Sequence, residues 1–306
     1  MSQAQQGPGA QPRVRRMQRP NPTPKAGRNL PAAIAVGLAM LFAVLGGLLF
    51  LPLGFVVVTT TFAAMGAWEI FRALEVSGTR IPIVPVMTGT VAMPISAYFG
   101  GLESLLFAML LSSVAVLLWR SIESAEGSAR SIFGGVFTLA WVPFLISFAV
   151  LPLHATGGAT PVGLYDDGVV PQGAWQIVTL LLLVVSNDTF GYLVGASLGK
   201  HPMAPKISPK KSWEGFAGSV AGAMVIGVLA SIFLLGKPWW VGVALAVAMV
   251  AAATAGDLAE SMVKRELGIK DMSSVLPGHG GIMDRLDSIV FASPAAFILF
   301  AAFAGT

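Results

Sequence analysis

Between Ser261 and Asp287 the chain reads S-M-V-K-R-E-L-G-I-K-D-M-S-S-V-L-P-G-H-G-G-I-M-D-R-L-D, crowding acids, bases, a histidine and glycines together. Taken one turn further back, Asp257, Glu260, Ser261 and Lys264 stand at i, i+3, i+4 and i+7. One helical face would then carry two carboxylates, a hydroxyl and an ammonium group. Downstream, Pro277, Gly278, His279, Gly280 and Gly281 make a loop whose glycines let backbone N–H groups approach an anion. Asp284 and Asp287 follow, one turn apart, with Ser288 beside them. Several carboxylates suit divalent cations, and several bases suit phosphates. Mg²⁺ takes oxygen ligands, usually one or two carboxylates completed by substrate phosphates and water. Phosphoryl and nucleotidyl transfer ask the protein mainly for positioning and charge neutralisation, often with two metal ions. The absence of cysteine excludes thiol chemistry and thiolate metal sites, and zinc is not expected, since the three histidines form no H-x-x-x-H pair.

Two further polar clusters precede this one. Asn187, Asp188, Tyr192, Gly195 and Gly199 fall near the end of an apolar segment, and the last four lie about one turn apart on one helical face. An aspartate inside an apolar helix costs about 2.5 to 3.5 kcal/mol on insertion scales, so Asp188 is expected to face a polar cavity, with a bond to a neighbouring helix as the plainer alternative. The glycines point first to close helix packing. The loop from Gly199 to Gly215 is too rich in proline to be helical before Trp213. Its Lys206, Lys210 and Lys211, with Ser208 and Ser212, are charge-assisted or hydroxyl donors suited to phosphate oxygens. Topology alone would explain the lysines, but not the hydroxyls beside them. His201 reads as a solvated loop residue.

These clusters must be carried by membrane helices. The chain is 55% hydrophobic and 11% charged, with a mean hydropathy of +0.77, outside the range of a soluble domain. Windows of about 20 apolar residues, the length that crosses the hydrocarbon layer, recur after residue 30. They predict an all-α polytopic membrane protein of about nine spans: 31–48, 51–71, 82–99, 102–119, 131–151, 174–196, 214–235, 238–256 and 286–304. Residues 1–29 read as a disordered basic tail, and 30–306 as one membrane-embedded catalytic domain with its functional regions at 187–215 and 257–288. With the N-terminus cytoplasmic, 18 of the 19 Lys and Arg residues fall on the cytoplasmic side and only Lys237 opposite, as the positive-inside rule requires. All three polar clusters fall on that side too. Small residues at Ala251 to Ala253 and Gly256 suit close packing within a subunit or between two.

The long run from Ser261 to Asp287 resembles the signature of the phosphatidate cytidylyltransferases, also called CDP-diacylglycerol synthases. D-T-F-G-Y-L-V-G with G-K after it, and I-S-P-K-K-S-W-E-G, resemble the same family in the same order, so the resemblance covers about Asp188 to Ser288. Ser212 stands where threonine is usual and Gly191 where alanine is common; neither change removes a ligand. The resemblance implies transfer of a cytidylyl group from CTP to phosphatidate, with CDP-diacylglycerol and pyrophosphate as products. It implies Mg²⁺ in a two-metal site whose second ion is unidentified, with Asp257 and Asp284 as ligands and Asp287 as a third ligand or a neighbouring acceptor. Lys264, Arg265, Lys270, Arg285, Lys210 and Lys211 are then the candidates to neutralise the triphosphate and the lipid phosphate. His279 would bond a phosphate or the leaving pyrophosphate, with a structural turn residue as its alternative, while Gly280 and Gly281 would shape the anion loop. Ser208 and Asp188 complete the substrate-binding set.

The partners expected are CTP, phosphatidate and the bilayer, with no nucleic acid; the family is compatible with a homodimer. The expected place is the plasma membrane, multi-pass, with the site facing the cytoplasm. Two other readings stand beside this one: a CTP-dependent enzyme with a different lipid acceptor, and a cation transporter with Asp188, Asp257 and Asp284 along its path. Against the transporter, the acids gather near one surface beside Lys-rich and Gly-rich loops, while the far side offers only Glu103, Asp166 and Asp167.

Overall fold

A computed structural model describes residues 30–123, 127–155, 170–273 and 280–305. The predicted tail 1–29, Asp166, Asp167 and His279 lie outside the described residues. The chain forms α1 (Leu30–Phe50), α2 (Pro52–Val76), α3 (Ile83–Glu123) and α4 (Ser128–Leu139). A π-helical turn (Ala140–Phe144) containing Pro143, then α5 (Leu145–Ser147) and α6 (Leu151–Ala155), continue α4. After α7 (Gln172–Leu198) come two short strands, β1 (Pro202–Ala204) and β2 (Ser208–Ser212), and then α8 (Trp213–Phe233), α9 (Trp239–Glu266) and α10 (Met283–Ala302).

Among the described residues, seven helices are long and apolar enough to cross a membrane. One of them, α3, holds two of the predicted spans. At Gly101 its backbone turns to φ 67°, ψ −159°, a conformation open to glycine. A Cβ added at Gly89 would lie 2.6 Å from the Cβ of Ser112, yet 23 residues of straight helix would separate the two by about 35 Å. The two halves therefore fold back on one another as a hairpin.

The helices hide small residues from each other and turn large ones outward. A Cβ at Gly227 would meet the carbonyl oxygen of Gly242 at 2.5 Å, so α8 and α9 cross with their backbones nearly touching. Leu183, Leu245 and Met249 fill the core of α7–α10, while Leu105, Val116, Leu139 and Ile177 fill that of the earlier helices. Leu106, Phe107, Leu110, Leu111 and Leu118 are each at least half exposed along α3. An apolar patch of that extent belongs against lipid.

The bundle is all-α, as expected, with one short β element beside it. The prolines that bar a helix before Trp213 leave an extended segment, and it pairs with itself as an antiparallel hairpin, Pro202 opposite Ser212 and Ala204 opposite Ser208. Ser212 then caps α8 by accepting the Gly215 N–H at 3.1 Å. The hairpin packs against α7 and α8 at one end of the bundle, where Arg265 of α9 donates to the Ile207 carbonyl at 3.3 Å. The ends of α2, α7, α9 and the starts of α8 and α10 meet there.

Candidate active site

A cavity of about 410 Å³ opens at this end, walled by α7, β2, α8, α9 and α10. Asp188, Asp257, Asp284 and Asp287 line it with Lys210, Lys211 and Arg285, so all three sequence clusters contribute to one space. Glycine makes the enclosure possible. A Cβ at Gly215 would sit 3.0 Å from the Gly191 carbonyl oxygen and 3.2 Å from the Gly195 Cα, which brings α7 against α8. At Gly256 it would stand 2.3 Å from the Asp287 carbonyl oxygen, so the absence of a side chain there lets Asp257 of α9 sit beside Asp287 of α10. Gly256 acts through packing, whereas Gly191, Gly195 and Gly215 both pack the helices and line the cavity.

Asn187, 6% exposed, ties the wall together. Its carbonyl accepts the Ser219 hydroxyl at 2.6 Å, its amide nitrogen donates to Asp188 Oδ1 at 2.9 Å, and its amide oxygen accepts from Thr254 at 3.4 Å. Three helices are thereby fixed around the Asp188 carboxylate.

Two of the four acids in the cavity, Asp257 and Asp284, are paired with ammonium groups. Lys211 Nζ lies 2.6 Å from Asp257 Oδ2, and the Ser261 hydroxyl donates to Asp257 Oδ1 at 3.3 Å. Lys264 Nζ reaches across helices to Asp284 Oδ1 at 2.9 Å while staying 3.1 Å from Glu260 Oε2 on its own helix. Lys264, a sequence candidate to neutralise the triphosphate and the lipid phosphate, is not among the residues that line the cavity and is bonded to Asp284 behind it. The other Asp284 oxygen accepts the Gly281 N–H at 2.8 Å. That N–H is spent on a side chain in the first turn of α10, although Gly280 does take the left-handed φ of 81°.

Ser208, Arg265, Lys270, Gly280 and Gly281, also expected in the site, are not among the residues that line the cavity. Ser208 is held in the strand pair opposite Ala204, and Arg265 is directed to Ile207. Ser212 replaces Ser208 in the lining. Glu214 accepts the backbone N–H groups of Lys200 and His201 at 3.0 and 3.2 Å, with the exposed His201 ring 2.5 Å away, so this pair anchors the hairpin to α8.

Glu69 is the residue that the sequence clusters do not contain. It lies on α2, only 2% exposed. Its Oε1 accepts from the Ser273 hydroxyl at 2.5 Å and the Ile282 N–H at 2.9 Å, and its Oε2 accepts the Met283 N–H at 2.8 Å. A Cβ at Gly281 would come within 2.6 Å of Oε2. One carboxylate thus satisfies two backbone donors at the start of α10 and sets where Asp284 and Asp287 enter the cavity. Its signal was available: an acid in an apolar helix demands partners, the same argument that singled out Asp188.

Among the described residues no three acidic or histidine side chains converge closely enough to hold an ion by themselves. Four carboxylates lining one cavity with three cations nevertheless form an all-oxygen donor set, and an ammonium group already stands on Asp257. Such a set fits a hard divalent cation held by one or two carboxylates with substrate phosphates completing its shell. It does not fit an ion caged by protein alone.

Comparison with known proteins agrees with this chemistry. The family described as "Cytidylyltransferase family" matches residues 31–303. A protein of Mycobacterium leprae named phosphatidate cytidylyltransferase is 38% identical over 293 residues, covering 90% of this chain and 89% of the relative. One of the same name from Mycobacterium tuberculosis is 36% identical over 309 residues, covering 95% and 89%. A third, from Haemophilus influenzae, is 42% identical over 128 residues, covering 40% of this chain and 44% of its own.

Proposed function

The chain belongs to the cytidylyltransferase family, and we propose that it transfers the cytidylyl group of CTP to phosphatidate. The observation that carries the reading is the single cavity in which an acidic wall from α9 and α10 faces a basic wall from β2. The names of its full-length relatives support the substrates. In the reaction a phosphate oxygen of phosphatidate attacks the α-phosphorus of CTP and forms a new P–O bond. The bond from that phosphorus to the bridging oxygen of the β-phosphate breaks, and its electron pair leaves with pyrophosphate. The nucleophile is already an anion, so no general base is needed.

Asp257, Asp284 and Asp287 would hold Mg²⁺, which when bound neutralises phosphate charge and orients the reacting oxygens. Lys210, Lys211 and Arg285, all on the cavity wall, bind the triphosphate and the lipid phosphate. Lys211 is in contact with Asp257, so it can pass to an incoming phosphate without crossing the site. Lys264 and Glu69 stay behind the carboxylates and fix their directions.

A soluble polyanion and a two-chain lipid meet only at a bilayer surface. We place this end of the bundle at the cytoplasmic face of the plasma membrane, an assignment supported by the excess of Lys and Arg on that side. Assembly as a homodimer is a separate expectation of the family, to be read from the mass of particles extracted in native lipid patches. The decisive assay supplies the purified protein with labelled CTP, phosphatidate and Mg²⁺. Labelled CDP-diacylglycerol and an equal amount of pyrophosphate are expected. Product from another lipid phosphate but none from phosphatidate would move the reading to that acceptor, and ion flux in liposomes with no product from any lipid would replace it by transport.

A further inference from the structure

A second cavity, of about 830 Å³, is lined by Arg80, Arg120, Glu123, Arg130 and Trp119 together with the 78–84 turn and the start of α4. It shares no lining residue with the reaction cavity. Three arginines against one glutamate leave it two positive charges in excess among the described residues. Topology explains arginines on loops in water, and Arg80 and Arg130 are exposed accordingly. It does not explain Arg120, only 7% exposed. Arg120 Nη1 donates to Glu123 Oε2 at 2.5 Å, but its Nε has no hydrogen-bond partner among the described residues. Glu123 is also shared, since Trp119 Nε1 donates to its other oxygen at 2.8 Å. A guanidinium has five donors in a fork matched to phosphate, and burying it incompletely paired is costly.

A second feature points to the same charge. Helix α4 begins at the cavity behind Gly127, whose φ is 74° and which offers no side chain as a cap. The positive end of a twelve-residue helix therefore faces the space that the arginines line. The hydroxyl of Ser131 is bonded to the Arg80 carbonyl, which locks the 78–84 turn onto α4. Beside the cavity Leu118 is 60% and Ile122 84% exposed. Trp119 on the same stretch is the kind of side chain found at headgroup depth.

We propose that this cavity is a phosphate-binding site distinct from the reaction site. Its ligand is the phosphate of an anionic lipid headgroup, with the acyl chains along Leu118 and Ile122, or a soluble phosphate reaching the same arginines. The test titrates the purified full chain calorimetrically with short-chain phosphatidylglycerol, with inorganic phosphate, and with short-chain diacylglycerol as the phosphate-free control. Saturable binding of the first or of both is expected, with none of the control; lipid alone identifies a headgroup site and both a general phosphate site. The pair Arg80→Gln and Arg130→Gln, at exposed positions, should weaken binding at least about tenfold, and Arg130→Gln alone by a smaller factor. Lys210→Gln, in the reaction cavity, should leave the arginine-dependent part of that binding in place. No saturable binding, unchanged binding in the arginine variants, or equal loss with Lys210→Gln would each overturn the proposal.

Discussion

Two regions of the molecule hold acids within the helix bundle, and they hold them differently. On α2, Glu69 is bonded to the Ser273 hydroxyl and to two backbone N–H groups that cannot leave without moving the start of α10. On α9 and α10, Asp257 and Asp284 are bonded to the ammonium groups of Lys211 and Lys264, which sit on flexible stems. Both arrangements avoid the cost of a lone charge in an apolar setting. The first leaves nothing to exchange and builds structure. The second leaves Lys211 able to trade its carboxylate for a phosphate, and so leaves room for chemistry.

The contrast makes graded predictions. Chelating divalent cations should abolish turnover while leaving the melting temperature within a few degrees, because lysines already stand against Asp257 and Asp284 in the folded chain; a collapse on chelation would mean that the metal is structural. Next, Asp257→Asn should lower turnover by about 10²- to 10³-fold with the fold intact, as read by CTP turnover and circular dichroism. Wild-type rates there would erase the distinction between the two regions. Glu69→Ala should lose stability as well as activity: three donors lose their acceptor, at about 1 to 3 kcal/mol each if they stay buried and unsatisfied. Displacing Asp284 and Asp287 by about 1 Å would cost up to about a hundredfold in rate. Glu69→Gln, which keeps one acceptor oxygen, should recover part of both. Lys211→Met should act mainly on the KM for CTP, by about tenfold for one lost charge-assisted bond, with little change in melting. Smallest of all, Ser212→Ala should cost about 1 kcal/mol for the lost cap of α8, visible in thermal unfolding.

The sequence carried the site more fully than it carried its supports. Asp257, Glu260 and Lys264 could be placed on one face because helical spacing is local, and the structure keeps Glu260 and Lys264 in contact at i, i+4. That Lys264 also crosses to Asp284, 20 residues on, could not follow from spacing. The β-hairpin was legible only as a segment barred from helix by proline; its pairing depends on the turn between Ala204 and Ser208. The third and fourth spans were separable by their apolar windows, but no pattern marked Gly101 as the hinge that stacks them. Glu69 was missed because it stands alone among apolar neighbours, and its partners lie more than 200 residues away.

That separation has a consequence for how the protein is made. Glu69 enters the membrane with α2, whereas Ile282 and Met283 are synthesised 213 and 214 residues later. At about 5 to 20 residues per second, the carboxylate waits about 10 to 40 s for its acceptor role to be filled. Throughout that interval the carboxylate has to stay within reach of water or take up a proton, and only when α10 arrives can Glu69 be both charged and buried.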